Sequence, residues 1–199
     1  MKFDKEHWKE IDINIDSLWL IGPRAKGGKR ENNYHGNFVP QIPDHLIRRY
    51  TEEGDIVLEP FMGSGTTLYE CERLKRNYIG FDINTEIIEY VKNKMQDCSD
   101  IRFNIHECDC TDSECVEMSL KNSLKEMGKQ RVDFILSHPP YWDILKFTDL
   151  PYDLSNITGL NEFLDKFVLS MKNGIIFQIF INGFKRIIMN CQKVWEEWK

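Results

Sequence analysis

Short apolar runs alternate with amphipathic stretches along most of this chain. Ile56-Val57-Leu58 is the first clear run, introduced by the turn signal Glu53-Gly54-Asp55 and closed by Glu59-Pro60. A run so short and continuous predicts a buried strand. Residues 78–82, 132–137 and 175–181 repeat the pattern, and residues 101–105 alternate apolar with polar. Helical spacing fills the intervals: 43–50 with Pro43 and Asp44 at its start, 66–76, 86–95 with Ile87, Ile88 and Val91 on one face, 112–127, and 161–171 with Phe163, Leu164, Phe167 and Val168 as its stripe. Phe184, Ile187, Ile188, Cys191, Trp195 and Trp198 then recur at helical spacing, which predicts a closing amphipathic helix. Five strands with helices between and after them predict an α/β fold on a mostly parallel, doubly wound sheet.

A length of 199 residues fits one domain. Its expected parts are an N-terminal segment (1–50), a sheet core (51–183) and a C-terminal helix (184–199). No apolar run approaches the ~18 residues of a membrane span, and the start of the chain lacks the apolar stretch of a signal peptide. A cytoplasmic protein with no membrane partner is the expectation. The net charge of −6 argues against a chain that grips nucleic acid over its whole surface, but the charge is uneven. Residues 1–50 carry nine Lys/Arg against seven Asp/Glu, whereas the rest carries 17 against 25. Arg24, Lys26, Lys29 and Arg30 fall together with Gly27 and Gly28 in one basic loop. It reads either as solvated surface or as a contact to DNA phosphates. Of six cysteines, Cys108, Cys110 and Cys115 cluster near His106, but none forms the CxxC pair of a zinc site. Reduced structural thiols are expected, and no metal.

The chemistry concentrates at two predicted strand ends. The loop Glu59-Pro60-Phe61-Met62-Gly63-Ser64-Gly65-Thr66-Thr67 leaves the first strand. Its glycines allow close backbone approach to a ligand, although a tight turn alone would also use them. It has neither the lysine of a P-loop nor GxGxxG spacing. Asp82, followed by Ile83, ends the second strand, where a carboxylate can hold a ribose or simply cap a helix. Asp109, with Asp112 as a rival, follows the third strand and could meet an adenine amino group. His138-Pro139-Pro140-Tyr141 leaves the fourth. In a doubly wound sheet the first and fourth strands flank the reversal of strand order, so the two loops should lie side by side.

EPFMGSGTT resembles the cofactor loop of amino-methylating DNA methyltransferases, (D/E)PFxGSGTT, and SHPPYW resembles their (D/N/S)PP(Y/F/W) loop. Residues 34–47, with Phe38, resemble the segment that closes over the methionine end of the cofactor in that family. The resemblance implies a Rossmann-like methyltransferase fold, S-adenosylmethionine as cofactor and DNA as partner. It implies cofactor contacts from Phe38, Glu59, Pro60, Phe61, Gly63, Ser64, Gly65, Thr66, Thr67, Asp82, Ile83 and Asp109. His138, Pro139, Pro140 and Tyr141 become the catalytic loop: acceptors at His138 and at the Pro139 carbonyl hold the amino hydrogens, while Tyr141 stacks on a base that has left its duplex. Trp142 either extends that wall or packs in the core.

Histidine departs from the family's Asp, Asn or Ser at position 138, so cytosine N4 and adenine N6 both remain as targets. The family's sheet usually carries two more strands and a target-recognition segment, which this sequence lacks in recognisable form. Either the chain is shortened or a partner subunit or second copy covers the exposed sheet edge. Methylation of RNA or protein, and a non-catalytic fragment, stand as alternatives.

Overall fold

The computed structural model describes residues 18–31, 34 and 36–176. Within them the order is α1 (Gln41–Tyr50), β1 (Ile56–Glu59), α2 (Thr66–Leu74), β2 (Asn77–Asp82), α3 (Thr85–Lys94), β3 (Phe103–Glu107), α4 (Ser113–Met127), β4 (Phe134–Ile135) and α5 (Leu160–Ile176). Short 3-10 turns occupy Gly28–Arg30, Trp142–Ile144 and Leu154–Asn156. The sheet has the order β3-β2-β1-β4, and every pairing is parallel.

Alternation along the strands builds two cores. Val57 and Tyr78 face one side, where α1, α2 and α3 supply Ile47, Leu68, Ile88 and Val91. Ile56, Leu58, Ile79 and Phe81 face the other, against Val116, Leu120 and Leu124 of α4. β1 is fully buried, as an inner strand covered on both faces must be. Gly80 lies beside the Tyr78 ring, whose atoms stand 2.5–2.8 Å from where a Cβ would be, so any larger residue would displace the tyrosine.

Boundaries follow from local chemistry. The Asn84 side chain accepts from the N–H groups of Glu86 and Ile87, starting α3. Asp112 does the same for Glu114 and Cys115 at α4, which then ends on Gly128 in the left-handed conformation. β3 lies two residues further along than its alternation suggests, because pairing with β2 continues to Asp82↔Glu107. The ladder of β4 is short, but Asp133 N–H donates to the Ile56 carbonyl and Leu136 N–H to Leu58, so residues 133–136 still track β1. The expectation of a fifth strand meets a correction: residues 175 and 176 continue α5. The remainder of that strand and the closing helix from residue 184 lie outside the described residues.

Candidate active site

Strand order reverses at β1, with β2 on one side and β4 on the other. Ligand crevices in such sheets open at the carboxyl ends of the strands flanking a reversal. One cavity opens there. Its walls are the glycine loop from Pro60 to Ser64 with Thr66, then Asp82, Ile83, Asp109, and His138 through Tyr141. Tyr34, Gly36, Asn37 and Phe38 close it from the N-terminal side; Leu145, Phe147, Tyr152 and Asp153 close it opposite.

The glycine loop is shaped by backbone conformations that side chains resist. Gly63 and Gly65 have φ of 51° and 81°. At Gly65 a Cβ would stand 3.0 Å from Val91 and 3.1 Å from Tyr69, so space as well as conformation reserves the position. Asp82 braces the loop: one oxygen accepts from Gly63 N–H at 2.7 Å and the other from Asn84 N–H at 2.9 Å. Helix capping falls to Asn84, which leaves Asp82 on the cavity wall. Burial raises the Asp82 pKa, and the backbone donors pull in the opposite direction. Each carboxylate oxygen retains acceptor capacity for a ligand hydroxyl.

Ser64 Oγ and Thr66 Oγ1 are buried and have no hydrogen-bond partner, and both residues line the cavity. Buried hydroxyls without partners are costly unless a ligand or water completes them. Two such groups beside the Asp82 carboxylate suit a polar ligand.

Three of the expected cofactor contacts do not line the cavity. Glu59 turns away from the cavity, accepting from Thr67 Oγ1 at 2.5 Å and Tyr78 Oη at 2.6 Å inside the core. Full burial pushes its pKa up to about 8, although both hydroxyls oppose the shift. Thr67 is therefore a core partner of Glu59, and Gly65 contributes a turn rather than a wall. Asp109 and Asp112 separate cleanly: Asp112 caps α4, while Asp109 lines the cavity and accepts from the Thr111 N–H and hydroxyl, each at 2.8 Å.

On the opposite wall the His138 imidazole stacks on Phe38, with centroids 4.5 Å apart and planes 23° apart. Its Nε2 lies 2.7 Å from Tyr141 Oη. Burial lowers the His138 pKa, favouring the neutral ring. Tyr141 is 62% exposed at the cavity mouth, with Ile144 78% exposed beside it. Trp142 does not extend that wall: its indole N–H is buried without a partner and its backbone has φ of 54°.

Most of the basic loop is engaged within the chain. Lys29 pairs with Glu72 and Asp97, each at 2.6 Å. Arg30 grips the buried Glu70 carboxylate through two bonds, at 2.6 and 2.8 Å. Arg24 donates to the Phe38 carbonyl at 2.8 Å, and Lys26 is exposed. Lys29 and Arg30 thus fasten the N-terminal segment to α2 and the turn after α3, while Arg24 ties two parts of that segment together. Near the cysteines, His106 bonds Ser123 at 2.7 Å and Cys110 donates to the Pro60 carbonyl at 2.9 Å. Among the described residues no His/Cys/Asp/Glu group could hold a metal ion.

Sequence reasoning missed Cys108, Cys110, the 144–154 stretch and Ser170 as wall residues. Asp153 organises that stretch, accepting from the N–H and hydroxyl of both Thr148 and Ser155. The Asp-x-Ser spacing at 153–155 was a legible turn signal.

This parallel sheet with its crevice at the reversal has a Rossmann-like, α/β architecture. Residues 1–93 match the family model described as DNA methylase, of N6/N4 type. Over these residues the chain is similar to the amino-methylating DNA methyltransferases, a family whose cofactor is S-adenosylmethionine. It is 46% identical over 82 residues to the type II methyltransferase M.HpaI of Haemophilus parainfluenzae, covering 41% of this chain and 26% of that protein. It is 34% identical over 88 residues to M.MjaI of Methanocaldococcus jannaschii, covering 44% and 29%. Among solved structures, TrmN of Thermus thermophilus aligns with a TM-score of 0.46 at 20% identity, over 72% of this chain and 36% of that one. The chain spans less than a third of the length of either methyltransferase relative. No helix among the described residues is long and apolar enough to cross a membrane.

Proposed function

We propose that this chain transfers a methyl group from S-adenosylmethionine to an exocyclic amino group of a DNA base, cytosine N4 or adenine N6. One observation carries the reading: the glycine loop, with its two unpartnered hydroxyls, and the His138 loop face each other across a single cavity. The bound cofactor supplies an electrophilic methyl group. Ser64 and Thr66 would bond its polar methionine end, Asp82 its ribose hydroxyls and Asp109 its adenine amino group, with Pro60, Phe61, Gly63 and Ile83 lining its bed. Phe38 would close over it.

An exocyclic amine is a weak nucleophile because its lone pair is delocalised into the ring. Acceptors that hold both amino hydrogens move the nitrogen toward tetrahedral character and align it for transfer. His138 Nε2 and the Pro139 carbonyl are those acceptors in this reading. The prolines stiffen the loop and contribute carbonyls without N–H groups. A base entering the site exchanges the Tyr141 hydroxyl on Nε2 for its own amino hydrogen, and Tyr141 stacks on the base. The exposed apolar side chains of Ile144, Leu145 and Tyr152 at the mouth suit a base taken out of its stack. Domain organisation follows: one catalytic domain acting as a modification enzyme, cytoplasmic, with Lys26 as the basic side chain left for phosphate.

The test supplies tritiated cofactor with DNA, RNA and protein acceptors, using His138→Ala and Tyr141→Ala as controls. Label in DNA that both substitutions abolish is the expected result. Label in RNA but never in DNA overturns the reading. The short span relative to the methyltransferase relatives favours one second reading, a cofactor-binding piece completed by a partner subunit. Cofactor binding without transfer to any acceptor is the outcome that reading expects.

A further inference from the structure

We propose that Phe38 and Arg24 are positioning residues for the catalytic loop: the Phe38 ring fixes the plane of the His138 imidazole, and Arg24 fixes Phe38. The inference rests on the reading of His138 as an acceptor for the base amine. It adds a task to Phe38 beyond cofactor contact and replaces the phosphate contact expected of Arg24.

Two constraints define the orientation of the imidazole. Phe38 covers one face, with ring centroids 4.5 Å apart. Tyr141 holds the edge, its hydroxyl 2.7 Å from Nε2 and its ring nearly perpendicular at 89°. An imidazole has two torsions, and a stacked face with a hydrogen-bonded edge leaves neither free. Asp, Asn or Ser at this position would present no ring to stack, so the platform matters because the residue is histidine.

The platform is itself anchored. Arg24 Nη1 donates to the Phe38 carbonyl at 2.8 Å. The backbone around Arg24 is stitched to α1 from both sides: Ala25 N–H donates to Gln41 Oε1 at 3.1 Å, and Gln41 Nε2 donates to the Pro23 carbonyl at 2.7 Å. Arginine suits the task because its guanidinium stays charged and planar while partly buried. The link therefore runs from α1 through Arg24 and Phe38 to a loop a hundred residues downstream.

His138 also shares the cavity with other titratable groups. Tyr34 approaches from the N-terminal segment, Asp82 from β2, Asp109 from the turn after β3, Tyr152 and Asp153 from the far wall, and Cys108 and Cys110 from below Asp109. The lowering of the His138 pKa is attributable to burial, which Phe38 helps to provide.

The experiment follows the His138 imidazole titration by NMR in the intact chain, with His138→Gln identifying its resonance. Phe38→Leu uncovers the ring and should raise its midpoint toward the ordinary ~6.5. Phe38→Tyr keeps the stack and should leave the midpoint in place. Arg24→Met, which leaves every ring intact, should shift it in the same direction as Phe38→Leu and keeps the test decisive if that variant misfolds. In turnover with DNA, Phe38→Leu should lower kcat about tenfold at nearly constant KM for DNA, with Phe38→Tyr restoring it. An unchanged midpoint in both Phe38→Leu and Arg24→Met overturns the inference, as does an equal shift in Phe38→Tyr. The titration needs no DNA, so shifts as expected in a chain that methylates nothing would refute the proposed function, and with it the positioning role, and leave only the anchoring of the imidazole by Phe38 and Arg24 standing.

Discussion

At the scale of single residues, protonation decides two outcomes. His138 must be neutral to accept a hydrogen bond at Nε2, because the imidazolium is donor-only. Burial lowers its pKa, so the neutral ring persists below the ordinary value near 6.5. Methyl transfer should therefore hold steady from pH 8 to about 6.5 and fall at lower pH, in step with the His138 titration. A rate unchanged down to about pH 5 would contradict that role. Glu59 behaves oppositely. Its folded pKa, about 8, lies above the unfolded value, so its contribution to stability is full in acid and is lost as pH rises toward 8. Glu59→Gln keeps the volume, and its amide can satisfy both hydroxyls, since these rotate. Urea unfolding should show the variant more stable than the wild type at pH 8 by on the order of 1–3 kcal/mol, with the gain shrinking toward pH 5. An equal loss at both pH values would mean that the ionised carboxylate is needed. The sequence placed Glu59 in a motif that resembles a cofactor loop but could not show which way its side chain points. That depends on Tyr78 reaching across from β2 over the space Gly80 leaves open.

At the scale of elements, charge and backbone conformation divide the work. The Gly28–Arg30 turn docks on α2 through Lys29–Glu72 and Arg30–Glu70. Glu70 is fully buried, and Arg73 also pairs with it at 2.9 Å. Arg30→Ala should thus cost about 2 kcal/mol, below the range for stripping a buried charge of every partner. Lys26→Ala should leave the denaturation midpoint unchanged. If Arg30→Ala proved neutral in stability but weakened DNA binding, the loop would be a phosphate contact after all. Gly65→Ala should destabilise by about 1–3 kcal/mol, from its left-handed φ and the close approach to Val91 and Tyr69. Periodicity read the helices well because apolar stripes and capping residues are local signals: α4 begins and ends where Asp112 and Gly128 dictate. Strand limits were less legible, since β3 ends where β2 stops offering partners and β4 is defined by two pairings to β1. The destination of the basic loop was illegible for the same reason, its partners lying some 40 residues away.

At the scale of the whole molecule, the reversal of strand order at β1 brings two sequence-distant loops to one crevice. That much was legible, because strands in βα alternation leave few ways to arrange the sheet. The far wall was not. The 144–154 stretch carries no periodicity, and its shape comes from the Asp153 network with Thr148 and Ser155. The described residues thus bring the glycine loop and the His138 loop to one cavity, within a chain that spans less than a third of its methyltransferase relatives. The most direct measurement is chromatographic identification of nucleosides from DNA incubated with the protein and S-adenosylmethionine. Appearance of N4-methylcytosine or N6-methyladenine, lost in His138→Ala, is the predicted result. Methylation on a ring carbon, or an exocyclic product that persists in His138→Ala, would contradict the account.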